Sequence, residues 1–177
     1  MRKLVFAIAT GALTLGLCAS LAHAATLITR QDPNDTPGTL DIEVIGGQKD
    51  RPAAPLVVGL RTFHGWHDAL LKASGPNRIF VYFNINKDRD AEYVGEISTI
   101  DGQLVMTITG KGDTFPPIKV TRSDSSTIRV SIPRSSPANP RGSVKIAIST
   151  TLTKSTGPCA SGCVDRAPDK GWLTITA

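Results

Sequence analysis

RIFVYFN (Arg78 to Asn84) is the stretch that decides the fold, together with YVGEISTI (Tyr93 to Ile100) and QLVMTIT (Gln103 to Thr109) after it. Aromatic and β-branched residues dominate these segments and alternate in direction, as in β-strands packed on at least one face. Asp101-Gly102 separates the last two segments. This pair favours a type I′ turn, which needs positive φ at both central residues. The region therefore predicts an antiparallel meander.

Further segments with the two-residue alternation of half-buried strands lie on both sides of the meander. They are Leu40 to Val44, Leu56 to Phe63, Thr114 to Arg122, Ile128 to Ile132, Ser143 to Leu152 and Trp172 to Thr176. Only HGWHDALLKASG, which follows Phe63, has the composition of a helical turn. About eight or nine short strands predict an all-β fold, an antiparallel two-sheet β-sandwich with jelly-roll or immunoglobulin-like connections.

Proline and turn-forming residues predict how the strands are interrupted and joined. Neither residue of Pro116-Pro117 donates to a ladder, which places their strand at a sheet edge or a bulge. Composition predicts turns from Thr29 to Thr39 and an exposed loop from Pro133 to Gly142. The lack of βαβ repeats excludes doubly wound nucleotide-binding folds, and neither nucleotide fingerprint is present.

The first residues have the three parts of a secretory signal peptide. Arg2 and Lys3 precede an apolar run from Leu4 to Leu21, and Ala22-His23-Ala24 supplies small residues at the cleavage positions. This predicts a signal peptide over residues 1–24 and a single secreted domain over residues 25–177. After removal of the signal peptide we expect no membrane span.

Two other interpretations of the amino terminus stay open. An uncleaved membrane anchor needs a longer unbroken apolar run than Thr10, Gly11 and Thr14 leave. A lipoprotein acylated on Cys18 needs a small residue at the position of Leu17. We therefore expect a secreted or extracellular protein, with lipid anchoring through Cys18 as the alternative.

Composition limits the class of partner. The chain of 177 residues carries 20 basic and 15 acidic side chains. The two signs are interspersed and no basic stripe is present, which excludes the usual electrostatic footprint of a nucleic-acid-binding domain. We expect the partner to be an extracellular ligand or a cell-surface component, and not a nucleic acid.

Cys159 and Cys163 remain after the predicted cleavage, within PCASGCVDRAPDKGW. In an exported protein the default expectation is that they form a disulfide with each other. A redox role fits less well because the spacing lacks a thioredoxin-like βαβ context. Two thiolates alone also make an incomplete zinc site.

The loop after the first strand of the meander has a spacing similar to that of calcium loops. Oxygen-bearing side chains recur there at every second position, as in loops that converge on one ion. They are Asn84, Asn86, Asp88, Asp90 and Glu92. The charge of Arg89 opposes a cation, and the first two groups are neutral amides. We therefore favour a solvated polar connection and expect no metal site and no cofactor.

Two other pairs of polar residues invite a metal interpretation. Asp32 and Asp35 either ligate a cation or cap turns, and the turn-forming composition around them favours capping. His64 and His67 would share a face if their segment were helical. Gly65 weakens a helix there, and no third ligand lies at a familiar spacing. Neither pair is predicted to hold a metal.

Parts of the chain resemble a group of uncharacterised secreted β-sandwich proteins of actinobacterial type. The matching segments are DPNDTPGTLDI (Asp32 to Ile42), IFVYFNINKDRDAEYV (Ile79 to Val94) and CVDRAPDKGW (Cys163 to Trp172). Proteins of that group carry an early Asp-rich turn, a central strand followed by an Asp-rich loop, and a late Cys-containing Asp-Arg-Ala-Pro-Asp segment. The resemblance implies an exported β-protein and brings no activity with it.

Three functions from different classes fit these patterns. The first, which we favour, is a secreted non-enzymatic binding or surface-interaction module, with Trp66 and Trp172 as candidate stacking residues. The second is a small extracellular hydrolase with His64 or His67 as base, although no nucleophile elbow is present. The third is a structural component of the cell envelope that assembles through an edge strand.

Overall fold

The computed structural model describes residues 27–86, 88–154 and 159–177. The signal peptide predicted for residues 1–24, including Cys18, lies outside these ranges and stays a prediction. Within them the chain consists of β-strands and their connections, apart from a short 3₁₀ helix at Asp68–Leu71. No helix in the described ranges has the length and apolar character needed to cross a membrane.

Twelve strands build the described part of the chain. In chain order they are β1 (Ile28–Gln31), β2 (Ile42–Gln48), β3 (Leu56–Thr62), β4 (Arg78–Asn84), β5 (Tyr93–Ile100), β6 (Gln103–Gly110), β7 (Asp113–Thr114), β8 (Ile118–Arg122), β9 (Thr127–Ile132), β10 (Val144–Leu152), β11 (Cys163–Ala167) and β12 (Leu173–Ile175). Every pairing between these strands is antiparallel. The predicted all-β antiparallel class is confirmed.

The strands form one continuous sheet that is nearly closed on itself, like a barrel. Hydrogen-bonded neighbours follow the order β1-β2-β3-β9-β8-β6-β5-β4-β10-β11, while β12 pairs with β10 and β7 with β6. Strand β8 makes the path continuous, since it pairs with both β6 and β9. The two separate sheets of the predicted sandwich are therefore not confirmed.

Side chains complete the closure where the backbone ladder stops. The Asp165 carboxylate on β11 accepts a hydrogen bond from the Ile42 amide on β2, over 2.6 Å. Gly47 on β2 lets β12 come close, because a Cβ there would lie 1.9 Å from Cδ1 of Ile175. We call this junction of β2 with β10, β11 and β12 the closing seam.

The core fills the space that the sheet encloses. Alternate residues of the long strands point inward, as the two-residue period of a strand requires. The largest fully buried side chains are Phe83, Leu40, Ile42, Ile45, Leu56, Leu71, Ile79, Met106, Ile108, Ile128, Ile132 and Ile146. Trp66, from the segment before the 3₁₀ helix, joins the same core.

The central meander forms as predicted. Strands β4, β5 and β6 pair in sequence, and Asp101 and Gly102 have φ angles of 49° and 76°. Positive φ at both positions is what a type I′ turn needs, so this turn is confirmed. Lys111 and Gly112 repeat the arrangement between β6 and β7, with φ angles of 52° and 86°.

One prediction about an interruption is confirmed and another is wrong. Pro116 and Pro117 lie at a bulge and not at a sheet edge: they separate β7 from β8, β8 pairs on both sides, and the register against β6 shifts by one residue between the pair of Thr109 with Thr114 and the pair of Met106 with Ile118. The split keeps both prolines out of the ladders, to which they cannot donate. Residues Thr29 to Gln31, predicted as turn, belong to β1 because they pair with Val44 to Gly46 of β2.

Two segments predicted as loops are ordered by pairing or burial. Cys163–Ala167 forms β11 along the edge of β10. Asn139, inside the predicted exposed loop Pro133 to Gly142, is fully buried. Its Nδ2 donates to the carbonyl oxygens of Ala54 and Ile132, each over 3.1 Å. The loop is therefore folded back onto the end of β9.

Replacing Val81 by Asp tests the inward face of β4. Val81 is 1% exposed, so Val81→Asp buries an unpaired carboxylate. We expect a loss of several kcal/mol, on the order of the whole stability of the domain. The matched control is Val164→Asp on β11, where the side chain is 67% exposed. Thermal unfolding followed by circular dichroism checks both; an unchanged melting temperature for Val81→Asp would show that the strand faces are assigned wrongly.

Candidate functional site

Four aspartates meet at the closing seam. Asp32 and Asp35 lie between β1 and β2, Asp41 directly precedes β2, and Asp165 lies in β11. One carboxylate oxygen from each of Asp32, Asp35 and Asp165 lies within 4.8 Å of the other two. The carboxyl group of Asp41 adjoins that of Asp165. We call these residues the aspartate cluster.

Most of the cluster is removed from water. Asp32 is 6% exposed, Asp41 1% and Asp165 4%, while Asp35 is exposed at the rim. Burial disfavours the charged form of a carboxylate unless donors or cations replace the lost water. Among the described residues, no Lys or Arg forms an ion pair with the cluster. Its negative charge is therefore not balanced by a basic side chain.

Backbone amides satisfy only part of the cluster. The Asp165 carboxylate accepts from the Ile42 amide and from the next amide of its own strand, each over 2.6 Å. Oδ1 of Asp41 accepts from the Thr36 amide over 3.4 Å. Oδ2 of Asp32 and Oδ2 of Asp41 are buried and accept no hydrogen bond from the part of the chain that the structure describes.

The surroundings of the cluster raise the pKa of its carboxyl groups. Desolvation by burial, reinforced by neighbouring carboxylates, raises the pKa of Asp32 to about 7 and that of Asp41 to about 6. Desolvation also raises the pKa of Asp165, although the amides of Ile42 and Arg166 oppose the shift. Near neutral pH the cluster is therefore stabilised by whatever neutralises it, a proton or a cation.

A groove with a volume of about 480 Å³ lies on the solvent side of β1, β2, β3 and β9. We call it the outer groove. It is lined by Leu27, Thr29, Gln31, Val44, Gly46, Val57, Gly59, Leu60, Arg61, Ser123, Thr127 and Arg129. Binding sites for small molecules usually have volumes of about 300 to 1,000 Å³. The outer groove is therefore a second candidate site, separate from the aspartate cluster.

Two glycines form the floor of the outer groove. Gly46 and Gly59 are direct partners in the ladder between β2 and β3, and Gly59 is also the partner of Arg129 on β9. Outward-facing strand positions without side chains leave a hollow between the residues that flank them. A Cβ at Gly59 would lie 3.7 Å from the nearest atom, so the hollow has room for a side chain.

The two guanidinium groups at the groove differ in their partners. Arg61 pairs with Glu43, with Nε and a terminal nitrogen each 2.7 Å from a carboxylate oxygen. Arg129 is exposed and forms no ion pair with any described residue. Arg129 therefore presents the charge that is available to a ligand.

The loop predicted as a calcium candidate is hydrogen-bonded within itself. The candidates were Asn84, Asn86, Asp88, Asp90 and Glu92. The Asp88 carboxylate accepts from Nδ2 of Asn86 over 2.7 Å and from the Asp90 amide over 2.9 Å. Oε2 of Glu92 accepts from the Ile85 amide over 2.6 Å. These bonds resemble Asx turns, and among the described residues of the loop no buried oxygen lacks a donor, in contrast to Asp32 and Asp41 of the aspartate cluster.

The predicted stacking residues Trp66 and Trp172 each have an Arg over one ring face. The Arg122 guanidinium lies 3.9 Å from the ring centroid of Trp66, which is buried. The Arg166 guanidinium lies 5.8 Å from the ring centroid of Trp172. Neither ring lines the outer groove. Both are therefore engaged in contacts within the chain.

The predicted disulfide is present, and it lies beside the aspartate cluster. Cys159 and Cys163 are bonded to each other, and Cys159 is buried. A Cβ at Gly38 would lie 3.9 Å from Sγ of Cys159, so the loop that carries Asp32 and Asp35 packs against this disulfide. The disulfide segment thus supports the loop before β2.

The predicted histidines lie apart from both sites. His64 and His67 are exposed in the segment between β3 and the 3₁₀ helix. Neither belongs to the aspartate cluster or lines the outer groove. The structure therefore does not bring them together with a carboxylate or hydroxyl of either site.

Sequence reasoning missed Asp41 and Asp165 as site residues and assigned Asp32 and Asp35 to turns. Asp41 alternates with apolar residues, which indicated the wet face of a strand, and Asp165 fell in a segment predicted as loop. The available signal was the Asp-rich composition of DPNDTPGTLD and DRAPD. Composition alone does not say that the two segments meet.

Comparison of the chain with models of protein families, with curated proteins and with solved structures found no match. The resemblance to secreted proteins of actinobacterial type stays a prediction. The roles of the aspartate cluster and the outer groove are therefore inferred from their own geometry and chemistry.

The raised pKa of Asp32 predicts a pH dependence of stability in metal-free buffer. A carboxyl whose folded pKa, here about 7, exceeds its ordinary value of 3.8 stabilises the fold at low pH. That stability is lost as the pH rises through the folded pKa. Asp35, Asp41, Asp165 and Asp169 face Asp32 and all act in the same direction. The free energy of unfolding is therefore expected to fall between about pH 4.5 and about pH 7.5.

Asp32→Asn removes the titrating group and keeps its shape. We expect this variant to be more stable than the natural chain near pH 7 by up to about 4 kcal/mol, since the pKa of Asp32 rises from 3.8 to about 7 and each unit of pKa difference is worth about 1.4 kcal/mol. Asp113→Asn, at an exposed position, is the matched control. Urea unfolding at about pH 4.5 and at about pH 7.5, with EDTA present, checks this expectation. The same pH dependence in Asp32→Asn as in the natural chain would contradict it.

Proposed function

We propose that this chain is an exported, non-enzymatic binding protein that holds a small amphiphilic anion in the outer groove. The groove carries the proposal, because it is a concave site of about 480 Å³ on the solvent side of the sheet. Apolar walls with a few placed polar groups are the usual composition of a small-molecule site. The outer groove has this composition.

Apolar side chains form the walls of the groove. Val44 and Val57 are half-buried on neighbouring strands, and Leu27 is 54% exposed although its side chain is large and apolar. Covering such surface stabilises a complex by about 25 cal/mol for each Å² removed from water. These walls favour a ligand with an apolar body.

The polar side of the groove favours an anionic head group. Glu43 neutralises Arg61, whereas Arg129 has no ion-pair partner among the described residues. A guanidinium group donates two parallel hydrogen bonds to a carboxylate, sulfate or phosphate. The hydroxyl groups of Thr29 and Thr127, also in the lining, supply further donors.

The groove lining favours binding over catalysis. Its polar side chains are guanidinium, hydroxyl and amide groups. Such groups orient a ligand at neutral pH, whereas proton transfer in enzymes relies chiefly on imidazole and carboxyl groups. His64 and His67, the bases of the hydrolase alternative, are exposed elsewhere. These observations support a non-enzymatic role.

Export and the sandwich architecture are part of the same proposal. Export is supported by the signal-peptide pattern of residues 1–24 and by the disulfide, a bond of oxidising compartments. A sandwich is supported by inward side chains from both halves of the sheet, such as Val58 of β3 and Val81 of β4, which line one small internal gap. The layers would be β1-β2-β3-β9 and β6-β5-β4-β10-β11.

Binding of anilinonaphthalene sulfonate, a fluorescent amphiphilic anion, tests the groove. We expect one saturable site, and Gly59→Leu is expected to weaken binding at least about tenfold by filling the hollow, which corresponds to about 1.4 kcal/mol. The matched control is Gly142→Leu, since nothing lies within 4 Å of a Cβ at that exposed position. Equal affinities of the two variants would contradict the groove as the site.

The anionic head group is tested by removing its partner. Arg129→Gln is expected to weaken binding of the same probe about fivefold or more, because a charge-assisted hydrogen bond is lost. Arg141→Gln makes the same change at an exposed Arg outside the groove and is expected to leave affinity unchanged. Unchanged melting temperatures show that the variants are folded. Equal weakening by both variants would mean that the probe responds to net charge alone.

A further inference from the structure

Two oxygens of the aspartate cluster are buried and lack the partner that burial requires. Oδ2 of Asp32 accepts no hydrogen bond in the described chain, and Asp32 is 6% exposed. Its carboxylate lies within 4.8 Å of those of Asp35 and Asp165. A buried oxygen that points among other carboxylates gains nothing from its neighbours, because all of them repel its charge. The position of Asp32 therefore calls for a positive ligand.

Asp41 also has a buried carboxylate oxygen without a hydrogen-bond partner among the described residues. It is not one of the three residues whose oxygens lie within 4.8 Å of one another. Its side chain is 1% exposed, faces Asp165, and also leaves Oδ2 without a hydrogen bond among the described residues. Both unpartnered oxygens thus belong to buried carboxylates that neighbour Asp165.

The bonds already made by the cluster leave room for a metal. Asp165 accepts amide hydrogen bonds over 2.6 Å, which fix the direction of its carboxylate. Each carboxylate oxygen has two lone pairs, so an oxygen that accepts one hydrogen bond can also ligate an ion. Turn capping, the role predicted for Asp32 and Asp35, does not account for the unpartnered oxygen of Asp32.

We propose that the aspartate cluster binds one calcium ion, with Asp32, Asp41 and Asp165 as buried ligands and Asp35 on the exposed side. Only oxygen ligands are present, which suits a hard cation. Calcium binds oxygens at about 2.3 to 2.6 Å, so two of its ligands lie up to about 5 Å apart. The carboxylate oxygens of Asp32, Asp35 and Asp165, which lie within 4.8 Å of one another, fit this range, and Asp41 adjoins them through Asp165.

Burial favours calcium over magnesium at this position. Magnesium gives up its water reluctantly and usually keeps several water ligands. A site in which Asp41 and Asp165 are 1% and 4% exposed leaves little space for such a shell. The calcium ion would join the loop before β2 to β11, and so would clamp the closing seam. It would not occupy the Asn84 to Glu92 loop, where Asp88 and Asp90 are exposed to water and have no burial cost for a cation to offset.

Calorimetric titration of calcium chloride into the full chain, freed of metal with EDTA and dialysed, tests the site directly. We expect one ion per chain with a dissociation constant of about 10⁻⁴ M or lower. Because the ion binds only the folded state, roughly 10 mM calcium is expected to raise the melting temperature by about 3 °C or more.

Amide variants locate the ion. Asp32→Asn and Asp41→Asn each remove one charged ligand and keep its shape, so each is expected to weaken calcium binding at least about tenfold. Asp113→Asn and Asp88→Asn, the latter in the loop first considered for calcium, are the controls and are expected to keep the full response. Titration of the natural chain remains decisive if a variant does not fold.

Three results would overturn the proposal. No heat of binding and no rise in melting temperature would leave Asp41 and Asp165 as a pair that shares a proton. Loss of the response in Asp88→Asn but not in Asp32→Asn would move the ion to the Asn84 to Glu92 loop. Equal affinity for magnesium chloride would overturn the assignment to calcium.

Discussion

Buried side-chain hydrogen bonds across the closing seam complete the fold, and the central one runs from the Ile42 amide to the Asp165 carboxylate. It spans 2.6 Å and joins residues 123 positions apart in the chain. Strand β2 lies near one end of the hydrogen-bonded path and β11 at the other. The two ends of the sheet are therefore joined by side chains and not by a backbone ladder. Sheet edges need such cover, because unpaired strand groups invite pairing with other chains. The consequence is a carboxylate that has to remain buried.

This closure explains why ionising the carboxyl groups of the aspartate cluster costs so much free energy. Asp165 is held in place by amide donors, and Asp32, Asp35 and Asp41 follow because the loop before β2 lies across β11. Each added carboxylate raises the cost of ionising the others. The Asn84 to Glu92 loop has a more regular acidic spacing, but its Asp88 and Glu92 carboxylates accept hydrogen bonds from donors within the loop. We therefore place the proposed cation by the unsatisfied buried oxygens of the cluster and not by regular spacing in the sequence.

The sequence was a good guide wherever the deciding interaction is local. The β4-β5-β6 meander follows from alternation within each strand and from Asp101-Gly102, which adopts positive φ at both residues. Strand β11 was missed because Cys163–Ala167 becomes a strand only by pairing with β10, and the aspartate cluster was missed because it joins β11 to residues near β2, as in the Ile42–Asp165 contact across 123 positions. The outer groove was missed for a related reason: Gly46 and Gly59 become a hollow only once β2 and β3 are in register. Register between strands is a tertiary property that a single strand does not encode.

The two proposed sites share β1, and this makes them interdependent. Leu27, Thr29 and Gln31 form one wall of the outer groove, and Asp32 follows directly. The Asp32 amide extends the ladder by donating to the Glu43 carbonyl oxygen over 2.9 Å, while the Glu43 side chain holds Arg61 at the groove rim. A cation that fixes Asp32 therefore also fixes the groove wall. Coupling between two ligands is reciprocal in free energy, so an anion that orders β1 is expected to tighten the binding of calcium by the same factor as calcium tightens the binding of the anion.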